Sequence, residues 1–183
     1  KYGAGLALEV IGKGLMELNI PTENIVISNK LGWYRVPLKT KEPTFEPGAW
    51  ANLQFDASQM INRKGILDCW KQGNELLGGT YTSQLISVHD PDEYLAAAYS
   101  GADRIKRKKD IIDAYSSLFE LKSMGEVKAV GIGAKDWHII QELYNEIPFD
   151  WVMLANSLTI YRHTQGLLDF IGQLNKDGVG IIN

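Results

Sequence analysis

Five short apolar runs in this chain each end on a polar or ionisable group: Asn29-Lys30, His89-Asp90, Gly133-Ala134-Lys135, Asn156-Ser157 and Asn183. Lys30 follows Ile25-Val26-Ile27, and an ammonium leaving a buried segment needs a partner or a purpose, because an uncompensated charge there is costly. His89 follows Leu85-Ile86-Ser87-Val88 and has Asp90-Pro91-Asp92 behind it. Taken singly, each has a plainer reading. Lys30 can snorkel to water, His89 can be a rim histidine with its bonds satisfied, and Tyr2 can be a packing residue.

The elements that must position these groups alternate in type. Leu6, Val10, Ile11, Leu15 and Leu18 have helical spacing, and a strand is expected over 24–28. From Leu31 to about Gln59 the pattern fails, and Pro37, Pro43, Pro47 and Gly48 mark a long loop at 31–60. A helix is expected over 61–77, closed by Gly78-Gly79, then a strand at 84–88 and a helix at 111–124 stopped by Gly125. Further strands are expected at 127–132, 150–154 and 178–182, with helices at 137–144 and 166–174.

Val- and Ile-rich strands without polar alternation imply a parallel sheet buried on both faces, hence an α/β class. Polar groups at successive strand ends favour a (β/α)₈ (TIM) barrel, which gathers its chemistry on one rim. No glycine-rich phosphate loop follows any strand, as a doubly wound sheet would lead one to expect.

Composition sets the outer limits. The 183 residues are 45% hydrophobic and 22% charged with net charge −3, as in a soluble globular domain. One domain of this size buries about 70% of its unfolded surface. The only basic run, Arg104 to Lys109, is expected where a helix begins, as a solvated face, and nucleic acid is not suggested. The single cysteine, Cys69, cannot form an internal disulfide and is expected to be a small core residue, which fits a reducing, cytoplasmic setting. No apolar run approaches the ~20 residues a bilayer span requires. No metal site is called for.

Four separated motifs, in order, resemble the aldo-keto reductase family across essentially all 183 residues. Tyr2-Gly3 followed by Glu9-Val-Ile-Gly12 and Val26-Ile-Ser-Asn-Lys30-Leu-Gly32 is similar to the family's run from catalytic tyrosine to catalytic lysine. Val88-His89-Asp-Pro-Asp92 looks like its catalytic-histidine segment, and Gly125 to Gly133 resembles its fifth strand. The His-Asp-Pro-Asp form, Gly-Ile-Gly133 and the ending Gly178-Val-Gly-Ile-Ile-Asn183 are most like the sugar-oxidising branch, the L-fucose and D-threo-aldose 1-dehydrogenases.

The resemblance implies hydride transfer between NAD or NADP and a carbonyl or sugar substrate, giving a lactone when an aldose is oxidised at C1. Tyr2 would be the acid or base, Lys30 the cation favouring its phenolate, and His89 the group orienting the substrate oxygen. Lys135, Asn156 and Asn183 fall where relatives contact the nicotinamide, Lys135 replacing an amide and Leu154 a common Gln. Trp33 and Tyr34 in the mouth loop are candidates to touch a sugar. A homo-oligomer is compatible with the family. The resemblance also expects an Asp a few residues before the tyrosine as the lysine's counter-ion, and the chain begins one residue before Tyr2. Five strands cannot close an eight-stranded barrel, so the chain is expected to be an internal piece of one. Two other functions fit the same residues: a Schiff-base aldolase using Lys30, and a non-catalytic barrel that binds or regulates.

Overall fold

In the computed structural model, which describes residues 2–183, five parallel strands form one sheet in the order β1, β4, β5, β6, β7. They are β1 (Ser28–Leu31), β4 (Leu85–His89), β5 (Ala129–Ala134), β6 (Trp151–Leu154) and β7 (Gly180–Ile182). Between the first two lies an antiparallel hairpin, β2 (Trp33–Pro37) with β3 (Phe55–Gln59). The helices are α1 (Leu6–Glu17), α2 (Arg63–Leu76), α3 (Pro91–Ala96), α4 (Gly101–Ser123), α5 (Trp137–Tyr144) and α6 (Gln165–Lys176). This is the α/β arrangement of a partial (β/α)₈ barrel: a parallel sheet with strands in chain order and helices between them. No helix among the described residues is long and apolar enough to cross a membrane.

Register sorts the strand residues into two faces. Leu31, Val88, Ile132 and Val152 stand side by side on neighbouring strands. They join one buried cluster with Ile66 of α2, Leu118 of α4, Ile140 of α5 and Phe170 of α6. The alternate row runs Lys30, Ser87, Gly131, Trp151, and the next runs His89, Gly133, Met153. Only β6, with Trp151 and Met153 opposite Val152 and Leu154, carries large apolar side chains on both faces, as the missing polar alternation suggests; β1, β4 and β5 do not. Those three alternate large with small, polar or ionisable residues. Glycine and alanine are not polar, so the alternation is invisible to a polarity pattern.

Side chains start several helices. Asn62 accepts from Gly65 N at 2.8 Å to begin α2, Ser100 from Asp103 N at 3.1 Å to begin α4, and Asp136 from His138 N at 3.0 Å to begin α5. Helix α4 thus starts ten residues before the expected Ile111, and the basic run lies inside it rather than at its entry. That run is a solvated face, with Lys106 bonded to Asp110 at 2.9 Å and Arg107 to Asp103 at 2.8 Å, one turn apart in each case. Helix α3 has no counterpart in the expected elements.

Two further corrections concern the first strand and the loop after it. Ile25 to Ile27 are not strand. The Gln84 side chain accepts from Ile27 N at 2.6 Å, so pairing with β4 begins only at Ser28. The supposedly structureless stretch 31–60 contains the β2–β3 hairpin. Its Trp33, with Trp50, packs on a small cluster of Ala4, Phe45, Leu53 and Ala57, whereas Tyr34 packs on the main core. The prolines and the polar Asp56-Ala-Ser-Gln59 hide a strand whose support comes from the turn around Ala4.

Candidate active site

The C-terminal ends of β1 and β4 and the turn before α1 meet around a cavity of about 600 Å³. Tyr2, Lys30, His89, Asp90, Lys135 and Met153 are among its lining residues. The turn Tyr2-Gly3-Ala4-Gly5 holds its last three residues in left-handed conformation, with φ of 61°, 51° and 85°. It brings the Tyr2 ring to 5.3 Å from the His89 ring, centre to centre, at 44°. Tyr2 remains half-exposed on the cavity side, whereas His89 is 2% exposed.

Lys30 does have a counter-ion, and it is Asp90: Nζ donates to Oδ1 at 2.8 Å. The other carboxylate oxygen lies 3.2 Å from His89 Nδ1, without hydrogen-bond alignment. Burial by itself would raise the Asp90 pKa, but His89 and Lys30 outweigh it and hold the carboxyl well below the usual carboxylate range. For His89 burial wins: it keeps the imidazole below its ordinary value despite the opposing pull of Asp90.

β5 supplies room. A Cβ on Gly131 would stand 2.1 Å from the Trp151 ring, and one on Gly133 would stand 3.5 Å from Cε of Lys30. Only a strand without a side chain at Gly131 lets Trp151 lie across the inner face, whereas the atom nearest a Cβ on Gly133 would be Met153 Cβ at 3.2 Å.

The profile of the aldo/keto reductase family matches residues 1–183. The chain belongs to that family. An aldo-keto reductase of Bacillus halodurans in its holo form superposes with TM-score 0.61 at 16% identity, covering 97% of this chain and 47% of that one. An aldo-keto reductase enzyme from a Medee basin deep-sea metagenome library gives 0.57 at 17% identity, covering 95% of this chain and 48% of that one. The glycerol dehydrogenase of Gluconobacter oxydans gives 0.60 at 15% identity, covering 97% and 44%. This aldo/keto reductase chain thus spans about half the length of the solved structures it resembles. No individually curated protein matches it significantly in sequence.

Of the residues picked out in this aldo/keto reductase sequence, Tyr2, Lys30, His89 and Lys135 share the cavity. Asn156 does not line it. It borders a second hollow of about 530 Å³ with Lys135, Ser157, Arg162 and His163. Asn183 follows the end of β7, away from these residues along the sheet. Trp33 faces a small hollow of about 30 Å³ behind Lys30, room for a water and not a sugar. Tyr34 is packed against the main core.

Asp90 is the site residue that sequence reasoning passed over. Its signal was present: an acid directly after the strand-end histidine and before a proline. A nicotinamide carboxamide needs both a donor and an acceptor. The Lys135 side chain only donates, and it is bonded to Glu93 at 2.7 Å. Asn156, with no such commitment to Glu93, has the right donor and acceptor pair. The inner face also holds buried polar atoms without protein partners: Ser87 Oγ, both His89 nitrogens and Trp151 Nε1. Such atoms await a polar ligand, so the residues present fit a nicotinamide and a hydroxylated substrate in part.

Proposed function

We propose that this chain carries the acid–base centre of an NAD- or NADP-dependent oxidoreductase acting on a sugar or related carbonyl compound, with aldose oxidation at C1 to a lactone as the favoured chemistry. One observation carries the reading: Tyr2, Lys30 and His89, from three separate segments, line one cavity, and the phenol ring lies 5.3 Å from the imidazole ring. When bound, a nicotinamide supplies the hydride donor or acceptor. Tyr2 gives its hydroxyl proton to the substrate oxygen in reduction and takes it back in oxidation. Lys30 is kept on the wall of the same cavity by Asp90, a cation beside the reacting oxygen. His89 hydrogen-bonds a substrate oxygen and orients it, a positioning role. Asn156 and Lys135, which border one hollow, are this chain's candidates for the nicotinamide end, with Asn183 on the more distant strand. The resemblance to the L-fucose and D-threo-aldose branch and the polar, unpartnered inner face support a hydroxylated substrate.

The Schiff-base alternative finds no support in the geometry, since an amine committed to an ion pair at 2.8 Å is a poor nucleophile. Replacing Tyr2 by Phe in the full-length protein separates the readings. Loss of NAD(P)-linked turnover by about 10²- to 10⁴-fold is expected from removing a general acid–base group. Undiminished turnover, or borohydride trapping of substrate on Lys30, refutes the assignment.

A further inference from the structure

One residue of the loop between β2 and β3 lines the cavity that holds Tyr2, and it is an acid, Glu46. Its placement is enforced from both sides. Thr44 ties the loop to the hairpin, its amide donating to both carboxylate oxygens of buried Asp56 at 3.1 Å and its hydroxyl to Oδ2 at 2.8 Å. The next residue, Phe45, is buried and packs against the rings of Trp33 and Trp50, with centres at 6.1 and 6.5 Å. Ala4, two residues after Tyr2, belongs to the same small cluster. Glu46 follows in left-handed conformation, with φ 46°, and opens a turn in which its carbonyl accepts from Ala49 N at 3.1 Å. Its Oε2 accepts from Trp50 Nε1 at 2.7 Å. A non-glycine residue in that conformation costs on the order of 1 kcal/mol and persists where surrounding structure enforces it. The buried ring before Glu46 and the indole after it do so.

We propose that Glu46 is a specificity-determining residue of this cavity, a fixed carboxylate that accepts hydrogen bonds from the hydroxyls of a neutral, polyhydroxylated substrate and turns away substrates bearing a phosphate or carboxylate. The inference rests on the reading of the cavity as the site of carbonyl chemistry, and it narrows the substrate class within that reading. The charges around the cavity support it. Three carboxylates, Glu46, Asp90 and Glu93, and two ammoniums, Lys30 and Lys135, are among the lining groups. Both ammoniums are engaged, Lys30 with Asp90 at 2.8 Å and Lys135 with Glu93 at 2.7 Å. An anionic substrate therefore meets no lysine among the described lining residues without breaking an ion pair, and it also meets the charge of Glu46. A sugar faces neither cost. A carboxylate only accepts, on two oxygens with about four lone-pair sites, so one bond from an indole does not exhaust it. Hydroxyls donate, and bonds to an ionised acceptor are of the stronger kind.

The test compares D-glyceraldehyde with D-glyceraldehyde 3-phosphate as substrates of the full-length protein, by NAD(P)-linked kcat/KM. Native enzyme should prefer the uncharged aldehyde, and added salt should shrink the preference by screening the carboxylate. Glu46→Gln keeps the size and an acceptor oxygen but loses the charge. It should narrow the preference about tenfold, the effect of one unit charge a few ångströms away in a partly wetted site. Glu46→Lys should reverse the preference. Trp50→Phe keeps a ring against Phe45 and removes the indole donor, and it should raise KM for glyceraldehyde more than it lowers kcat. A Glu46 that served only the loop's structure would move neither the charge preference nor its salt dependence.

A native enzyme that takes the phosphate as readily as the free aldehyde, or a preference unmoved in Glu46→Gln, overturns the proposal, and the native comparison with its salt dependence decides even if a variant fails to fold. If native protein turns over neither compound nor any other sugar or aldehyde, the oxidoreductase reading fails, and binding alone decides the role of Glu46. Glycerol and glycerol 3-phosphate are then titrated with tryptophan fluorescence as the signal. Tighter binding of glycerol, lost in Glu46→Gln, sustains the proposal. No difference between the two, or the reverse order, overturns it.

Discussion

Arg35 ties the hairpin to the turn that presents Tyr2, and replacing it by Met measures how much of the site depends on that tie. Its Nε donates to the carbonyl of Ala4 at 2.6 Å and its Nη1 to Glu9 at 2.7 Å, while the guanidinium lies 4.4 Å from the centre of the Phe55 ring. The side chain is 10% exposed, and its Nη2 has no partner. Removing it loses a charge-assisted bond to a buried carbonyl, about 1.5–3 kcal/mol. The pair with half-exposed Glu9 contributes less than about 1 kcal/mol, and the ring contact about 0.5–1 kcal/mol. Against these, Met removes a buried charge with an unsatisfied donor, which recovers on the order of 1–2 kcal/mol. The carbonyl term wins, and a net loss of about 2 kcal/mol is expected, which lowers Tm by about 4–8 °C for a domain of this size. A second effect is local. Ala4 stands two residues after Tyr2, and displacing the phenol by about 1 Å is enough to cost on the order of 10²-fold in kcat. Thermal unfolding and steady-state NAD(P)-linked kinetics on Arg35→Met read the two effects separately, with Glu9→Gln as the control for the minor ion pair. Lost stability with unchanged kcat would show that the turn holds Tyr2 without the clamp. Unchanged stability and kcat together would refute the whole account.

Other consequences follow from burial and close approach. Because burial depresses the His89 pKa, the unfolded chain binds more protons below about pH 6.5, so stability should fall as pH drops through that point. A second decline should begin below about pH 4, where Asp90 protonates in the unfolded chain but stays ionised in the fold, and urea titrations of His89→Gln should lack the first stage and show a smaller second one. Gly131→Ala places a methyl 2.1 Å from the Trp151 ring and should cost about 1–3 kcal/mol in urea unfolding while changing tryptophan fluorescence, and an unperturbed variant would mean the ring moves freely. The Cys69 thiol is buried and its pKa is pushed up to about 11, so it should resist alkylation at neutral pH until the protein unfolds. Labelling of native protein at the rate of a free thiol would contradict this.

Much of the fold can be read from residue type alone, where the signal is local. The helix 137–144 is found where periodicity puts it, and the strand-end positions of Lys30, His89 and Lys135 follow from apolar runs of the right length. What escapes the sequence depends on distant partners. The first strand is displaced because Gln84, from the far end of another loop, takes the amide of Ile27. The hairpin forms because Trp33, Phe45 and Ala57 can pack on Ala4, a contact no window of sequence contains. The basic run gives no sign of a helix entry ten residues ahead of the apolar pattern, because its support comes from ion pairs one turn apart.

The site itself divides along the same line. The candidate site side chains were visible as polar exceptions among apolar residues, but the glycines beside them were not. β5 contributes no functional group to the inner face, yet Gly133 stands opposite His89 in register, and a Cβ there would reach within 3.5 Å of the Lys30 stem. Asp90 holds its left-handed conformation while bonded to that ammonium. The path of Lys30, the turned-back carboxylate of Asp90 and the buried ring of His89 therefore form one chain of contacts. Each link is short: Lys30 comes from β1, and His89 and Asp90 are neighbours at the end of β4. The ordered strands of a parallel sheet are what bring such links into register, so the sheet order and the ion pair are two consequences of the same geometry.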